Sequence, residues 1–481
     1  MRPKLVQGTV IRPGRLRHDL AKYGAAIGMT VALSAVQVFV IPRRLDVPTY
    51  GQYRLFLLFV NYFGLVQFGL SEGAFLRWAG RPSGEIAWEW RRIARWMLTL
   101  QLVIVGVAAA ISLFAEPLIR TYILAVTACA LCVNMNALCA YALQAAGDFK
   151  RAGRAVALAP GLFVGAVVLF SLRTLPGILG AYVGSFLIAA LYGVVALSRF
   201  GVEKPSARAA FTIRQLTTAG LPVLVSSIAA GLSQSVDRLL VSASTPITTF
   251  ALYGFAGTAA VAANSAVQAL SRVALSHAAH RTPADRARFL GGFLHVIAVG
   301  YGVCLALEPV FEQMVRRYLP LYAAALPILR AFTVGLPVWV ALRVVLVSTL
   351  QAHGHVRRQL AVESIGVALV ALMSGAVLFA HRELWQVAAG SSVAAVLTFI
   401  ATHAIVRHAE RTASDQQVFR FLCTIAVQGG ALLVALLLAP GWPIRCLAYI
   451  ALSSVPTAIA AFALRRHDWP SRPSAADLVT G

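Results

Sequence analysis

Four stretches of the chain contain no charged residue between their ends: Lys22 to Arg43, Arg95 to Glu116, Arg120 to Asp148 and Arg173 to Arg199. Each meets the requirement of about 20 predominantly apolar residues for a helix that crosses a bilayer. No water reaches the hydrocarbon core, so every backbone N–H and C=O there must bond internally, which leaves helices and closed barrels as the available solutions. Runs this long and unbroken specify helices. The composition agrees: of 481 residues, 59% are hydrophobic and 12% charged, against about 45–50% and about 25% in soluble domains. A soluble globule is excluded, and the chain reads as an all-α polytopic membrane protein.

Charged breaks and turn residues divide the sequence into about fourteen expected spans, near 23–42, 55–76, 96–115, 122–146, 155–172, 175–198, 215–236, 248–271, 289–310, 327–349, 360–380, 384–406, 420–439 and 443–464. The connections are too short to hold a separate soluble domain. The basic leader (Arg2, Lys4, Arg12, Arg15, Arg17, Lys22) feeds the first run without a small-residue cleavage pattern, so that run is expected to be a retained span.

Lys and Arg total 42 against 18 Asp and Glu, a formal charge of +24. With the N-terminus placed inside, 30 of the basic residues fall on the inner side and 10 on the outer. That bias predicts both termini in the cytoplasm. It also accounts for most of the excess charge, so no nucleic-acid partner is needed to explain it. The six cysteines lie in or beside apolar runs. The Cys129-x-x-Cys132 pair is read as small packing residues within a helix rather than a redox or metal motif.

The chain also repeats itself. Tyr53 leads to Leu70-Ser71-Glu72-Gly73-Ala74 and ends at Arg81; 200 residues later Tyr253 leads to Leu270-Ser271-Arg272-Val273-Ala274 and ends at Arg281. Leu143-Gln144-Ala145-Ala146-Gly147 returns as Leu350-Gln351-Ala352-His353-Gly354 at an offset of 207. Spans one to six therefore map onto seven to twelve. The expected organisation is a six-helix lobe over 1–200, a second over 201–410, and an appended helix pair with a cytoplasmic tail over 411–481. Six is even, so the lobes would run parallel, related by a pseudo-twofold axis along the membrane normal, which is a transporter plan. The largest expected outer segment, Phe311 to Leu326, offers only Glu312 with Arg316 and Arg317, too little for general acid/base work on a lipid-linked sugar. No Walker-type phosphate loop is present.

Several local patterns point further: Pro48-Thr49-Tyr50-Gly51-Gln52-Tyr53 entering the second span, Gln67-Phe68-Gly69-Leu70 within it, Gly220-Leu221-Pro222 opening the seventh and Asp237-Arg238 closing it. With the six-plus-six-plus-two spans and the Leu-Gln-Ala-x-Gly steps after spans four and ten, the chain resembles the Wzx-type polysaccharide flippases of the multidrug/oligosaccharidyl-lipid/polysaccharide exporter superfamily. The resemblance implies two lobes opening alternately to either side of a bacterial inner membrane. It implies movement of an undecaprenyl-diphosphate-linked oligosaccharide to the periplasmic leaflet for O-antigen, capsule or exopolysaccharide assembly, with a polymerase and export proteins as partners. A cation-coupled drug exporter of the same superfamily is the alternative, although it predicts an acidic residue within Ala25 to Val40 and none is there. A membrane enzyme or a scaffold of polysaccharide assembly is the reading from other classes.

Charge at a helix centre costs roughly 2.5–3.5 kcal/mol on insertion scales, so the few intramembrane charges are the candidate functional groups. Arg343 and Arg330 are candidates for contact with a cargo phosphate or acidic sugar, since a guanidinium holds phosphate oxygens in two parallel bonds. For Arg343 pairing with Glu363 is the competing reading, and for Arg330 snorkelling to the interface. Asn134 and Asn136 would line the lumen or bond between helices. Glu72 and Glu363 are candidates for coupling to an H+ or Na+ gradient, or for salt bridges; Asp237 and Arg238 for gating, or for an ion pair at a helix end. Gly220-Leu221-Pro222 and Gly335-Leu336-Pro337 are candidate hinges. No cofactor or bound metal is expected.

Overall fold

A computed structural model describes residues 13–62, 66–78, 81–203, 212–260, 283–347, 349–350, 355–409 and 415–438, with short pieces between 444 and 460. Helices account for nearly all of them, and no strand occurs among the described residues. The chain forms two compact units, Met1–Gly231 and Leu232–Gly481. Ten helical segments among the described residues are long and apolar enough to cross a membrane. The protein is thus an all-helical, multi-pass membrane protein.

The first unit contains α1 (Pro13–Arg44), α2 (Val47–Val60), α3 (Leu70–Trp78), α4 (Ser83–Ser112), α5 (Pro117–Ala145), α6 (Phe149–Leu169), α7 (Leu175–Ser198) and most of α8 (Ile213–Ser233). Proline sits at the first or second position of α2, α5 and α7, where its missing N–H costs nothing and its fixed φ suits the helix start. Gly147, at φ +76°, ends α5, and Asp148 caps α6 by accepting from the Arg151 amide at 3.0 Å. Pro160 and Pro222 are absorbed within α6 and α8.

α5 is the central element, packed against α4, α6 and α7, while α1 lies on α6. Its small residues permit that approach: a Cβ built on Gly193 of α7 would lie 2.6 Å from the Cys139 Cβ. The described cysteines are free thiols, three of them buried in α5, consistent with their reading as packing residues. Tyr53 stacks on Phe163 at a centroid separation of 6.2 Å, and Tyr182 meets Phe163 edge-on at 5.1 Å. From Leu102 onward the exposed side chains of α4 are apolar, with Leu102, Val103, Val107 and Ile111 each more than half exposed. Such a surface suits lipid, where no hydrophobic penalty attaches to exposure.

The second unit holds α9 (Val236–Ser244), α10 (Ile247–Ala260), α11 (Pro283–Tyr318), α12 (Leu326–Ala341), α13 (Val356–Phe379), α14 (Leu384–Ala409) and α15 (Asp415–Leu438). A 3-10 turn, Pro320–Ala325, leads into α12 and a π turn, Leu342–Val347, follows it. α14 packs on α12 and α13, and α15 lies on α11. Gln428 of α15 donates to the Ala298 carbonyl of α11 at 3.1 Å. The element bounds repeat at the offsets seen in the sequence. α2 begins at Val47 and α10 at Ile247; α6 begins at Phe149 and α13 at Val356.

Three expectations change. The second span is not one helix over 55–76 but two, α2 and α3, because Phe68 (φ +50°) and Gly69 (φ +75°) turn left-handed and cannot continue a ladder. The seventh ends at Ser233, and α9 restarts at Val236. The outer segment expected over Phe311–Leu326 is largely helical: α11 continues to Tyr318 and the 3-10 turn follows. The fourteenth span for the most part, the Leu270–Arg281 stretch and the Gln351–Gly354 step lie outside the described residues.

Candidate functional sites within the membrane spans

Two interrupted spans carry acidic residues immediately after their breaks. In the first unit, Glu72 lies in the first turn of α3 rather than at the end of a span. There the N-terminal helix dipole favours a carboxylate. Gln67 donates to Glu72 Oε1 at 3.1 Å, and the Ser71 hydroxyl donates to Gln67 Oε1 at 2.5 Å. Glu72 Oε2 is buried with no hydrogen-bond partner, and Glu72 forms no ion pair among the described residues, so a salt bridge to Arg77 is not what the carboxylate makes. Asn134 and Asn136 are buried on α5; Asn136 donates to the Ala155 carbonyl of α6 at 3.5 Å and its own Oδ1 is unmatched.

The same break joins two motifs far apart in sequence. A Cβ on Gly220 would stand 2.5 Å from the Gly73 amide nitrogen and 2.9 Å from the Gly69 carbonyl carbon, while one on Gly73 would stand 2.8 Å from the Leu216 carbonyl carbon. These neighbours are backbone and cannot rotate aside. Gln67-Phe68-Gly69-Leu70 and Gly220-Leu221-Pro222 therefore form one backbone-to-backbone contact between α8 and the start of α3, possible only with glycine at its centre. Gly335 is similarly pressed against Ser392 of α14, whose Cα would lie 2.8 Å from an added Cβ.

In the second unit Asp237 opens α9 instead of closing a helix at the surface, and it is buried. Its carboxylate accepts from the Tyr253 hydroxyl at 2.7 Å, the Ser391 hydroxyl at 3.1 Å and the Arg238 amide at 2.8 Å. Ser374 stands 3.1 Å behind Ser391. These donors are neutral, and Asp237 makes no ion pair among the described residues. The helix-end pair with Arg238 is thus replaced: the Arg238 side chain reaches back to the Gly257 carbonyl at 3.5 Å. Asp237, Arg238, Ser391 and Ser392 line a small cavity together with Ser233 and Trp339.

Arg343 sits in the π turn after α12, a local geometry that frequently marks functional positions. Its guanidinium forks onto Glu363 of α13: one nitrogen meets Oε1 in a very close contact, the other meets Oε2 at 3.0 Å and the Ser233 hydroxyl at 3.2 Å. Glu363 is 2% exposed and Arg343 15%. The pair neutralises two charges that would each be expensive alone. At the offset of 207 residues Arg343 corresponds to Asn136. Each reaches from the fourth or tenth span to the one that follows, so the two units use one register for different chemistry.

Arg330 does not snorkel alone. It is held between Glu308 at 2.8 Å and Glu312 at 2.6 Å, two carboxylates one helical turn apart on α11, and Arg316 completes the ladder on Glu312 at 2.8 Å. Sequence reasoning passed over Glu308. The available signal was its position four residues before Glu312, on the face of α11 where a neighbouring arginine would find both. No group of three or more His, Cys, Asp or Glu arranged to hold a metal ion occurs among the described residues.

No protein-family model and no curated protein matches the sequence. Solved structures match in fold. A structure of lipid II flippase MurJ, in an inward closed conformation, aligns with a TM-score of 0.68 at 13% identity, covering 92% of this chain and 99% of that one. A structure of MATE in complex with MaD5 aligns at 0.49 and 17% identity over 84% and 99%. A transporter of the multidrug/oligosaccharidyl-lipid/polysaccharide superfamily from Pyrococcus furiosus aligns at 0.45 and 16% over 82% and 92%. Across nearly its whole length, the chain has the fold of the MurJ flippase.

Proposed function

We propose that the protein is a flippase that carries a lipid-linked oligosaccharide, with an undecaprenyl-diphosphate anchor, from the cytoplasmic to the periplasmic leaflet of a bacterial inner membrane, both termini being cytoplasmic. The observation that carries this reading is the fold shared along nearly the full length with a protein described as a lipid II flippase. The intramembrane charges are consistent with it. Arg343 is the group we assign to the anionic carrier, with Glu363 as its resting partner: a phosphate that displaced the carboxylate would inherit a fork already oriented. Arg330, held by two carboxylates, supports the outer part of that span, and Asn134 and Asn136 contribute on the other unit.

Coupling to an H+ or Na+ gradient falls to Asp237, with Glu72 as the second candidate. Asp237 is a buried carboxylate supplied only with neutral donors, so no protein cation neutralises it among the described residues, and intramembrane carboxylates of this kind mark ion and proton pathways. The translocated unit would pass to a polymerase and export machinery for surface polysaccharide. The test is reconstitution of the full chain in liposomes holding a fluorescent undecaprenyl-diphosphate oligosaccharide in both leaflets, with a membrane-impermeant quencher outside. Protein-dependent loss of the protected half, dependent on Asp237 and on the gradient, is expected. Protection identical to that in protein-free liposomes overturns the reading.

A further inference from the structure

The first unit carries a second charged site that the transport reading does not use. Where α6 begins and α7 ends, a cavity of about 340 Å³ is lined by Asp148, Lys150, Arg151, Arg154, Tyr192 and Arg199, with Val195 and Ala196 at its side. Four cations face one anion. That anion is occupied: Asp148 accepts from the Arg151 amide at 3.0 Å and from its guanidinium at 2.9 Å, and Arg151 also lies 6.0 Å from the Phe200 ring. The side chains of Lys150, Arg154 and Arg199 form no ion pair or hydrogen bond among the described residues. Three unneutralised cations thus converge on one concavity, beside Tyr192 and the amino end of α6. The positions 207 residues on carry Arg357 and Arg358 for Lys150 and Arg151 but Ala361 for Arg154, so the full cluster belongs to the first unit alone.

The surroundings specify the ligand further. From the cavity, α7 continues into the membrane with Val195, Leu191 and Ile188, each at least half exposed, spaced along one side of the helix. A molecule with its anionic end among the cations would lay hydrocarbon along that strip. We propose that this cavity binds a phosphate group, the source best matched by the strip being an anionic glycerophospholipid of the inner leaflet. Cation clusters at the membrane surface attract such headgroups, and guanidinium forks hold phosphate oxygens bidentately.

The experiment titrates the detergent-purified full chain with phosphatidylglycerol and counts retained lipid by native mass spectrometry. Parallel titrations use phosphatidylcholine and inorganic phosphate. One tightly retained phosphatidylglycerol is expected, weakened about fivefold for each of Lys150→Ala, Arg154→Ala and Arg199→Ala, and unchanged by Arg91→Ala with Arg95→Ala on α4. Asp148→Asn keeps a side chain able to cap α6 while removing the anion and releasing Arg151, so it is expected to tighten binding about twofold or more; misfolding cannot imitate a gain. Inorganic phosphate bound with the same dependence on the three cations supports the phosphate site with a free ion as its source. Retention of phosphatidylglycerol that ignores both the three cations and Asp148, or that phosphatidylcholine matches, overturns the proposal.

Discussion

Removing either partner of the Arg343–Glu363 pair should cost far more than removing both. Each single substitution, Arg343→Met or Glu363→Met, leaves a charge in a site where the carboxylate is 2% and the arginine 15% exposed. Breaking a buried pair from one side costs about 3–5 kcal/mol, and the insertion cost of a lone charge at a helix centre is about 2.5–3.5 kcal/mol. Each single variant is therefore expected to lose roughly 3 kcal/mol. The double variant, with apolar side chains of similar length in both places, should lie within about 1 kcal/mol of the native protein, because such replacements are often neutral. The coupling energy then approaches 5 kcal/mol. Reversible unfolding by SDS in mixed micelles measures all four corners of the cycle. Interhelical hydrogen bonds in membranes average about 0.6 kcal/mol, so a coupling of that size would refute the argument that mutual neutralisation dominates. In the flipping assay the double variant should remain folded yet inactive, since the arginine assigned to the carrier is gone.

Gly220→Val and Gly73→Val should each destabilise the first unit by at least the ~1–3 kcal/mol of overpacking, whereas Gly165→Ala, with open space around its position, should be neutral or gain up to about 1 kcal/mol; thermal melts in detergent distinguish them. Asp237→Asn can keep the oxygen that accepts from Tyr253 and Ser391 but loses the bond from the Arg238 amide, so a small drop in melting temperature is expected while the gradient dependence of flipping is abolished. Glu308→Gln should be tolerated better than Arg330→Met, because Glu312 still neutralises Arg330 in the first case and two carboxylates lose their cation in the second; SDS unfolding of the two variants reports the order.

How much could be read beforehand depends on the range of the interaction involved. Span positions came from local hydropathy: α7 covers 175–198 as expected, and α5 and α13 start and end within a few residues of the runs that predict them. The repeat offsets of 200 and 207 reappear in the helix bounds because a helix start is set by the few residues around it. The breaks were not legible in hydropathy, since Asn61 to Gly69 is apolar on average, yet among the described residues the turn at Asn61–Tyr62 and the left-handed backbone at Phe68 and Gly69 interrupt the ladder. Nor was the burial of Asp237, whose partners lie 16 and 154 residues away.

The sequence alone determined that the chain lives in a bilayer, that it is helical, and that it carries a large excess of positive charge. Those properties are additive over short windows, so each residue contributes whatever its distant neighbours are. Only the tertiary structure decided which charges are neutralised. Arg330 finds Glu308 and Glu312, Arg343 finds Glu363, and Asp237 and Glu72 find no cation among the described residues. In a medium of low dielectric a partner a few ångströms away outweighs everything farther off, and that partner is chosen by helix packing, which the order of residues along the chain does not display.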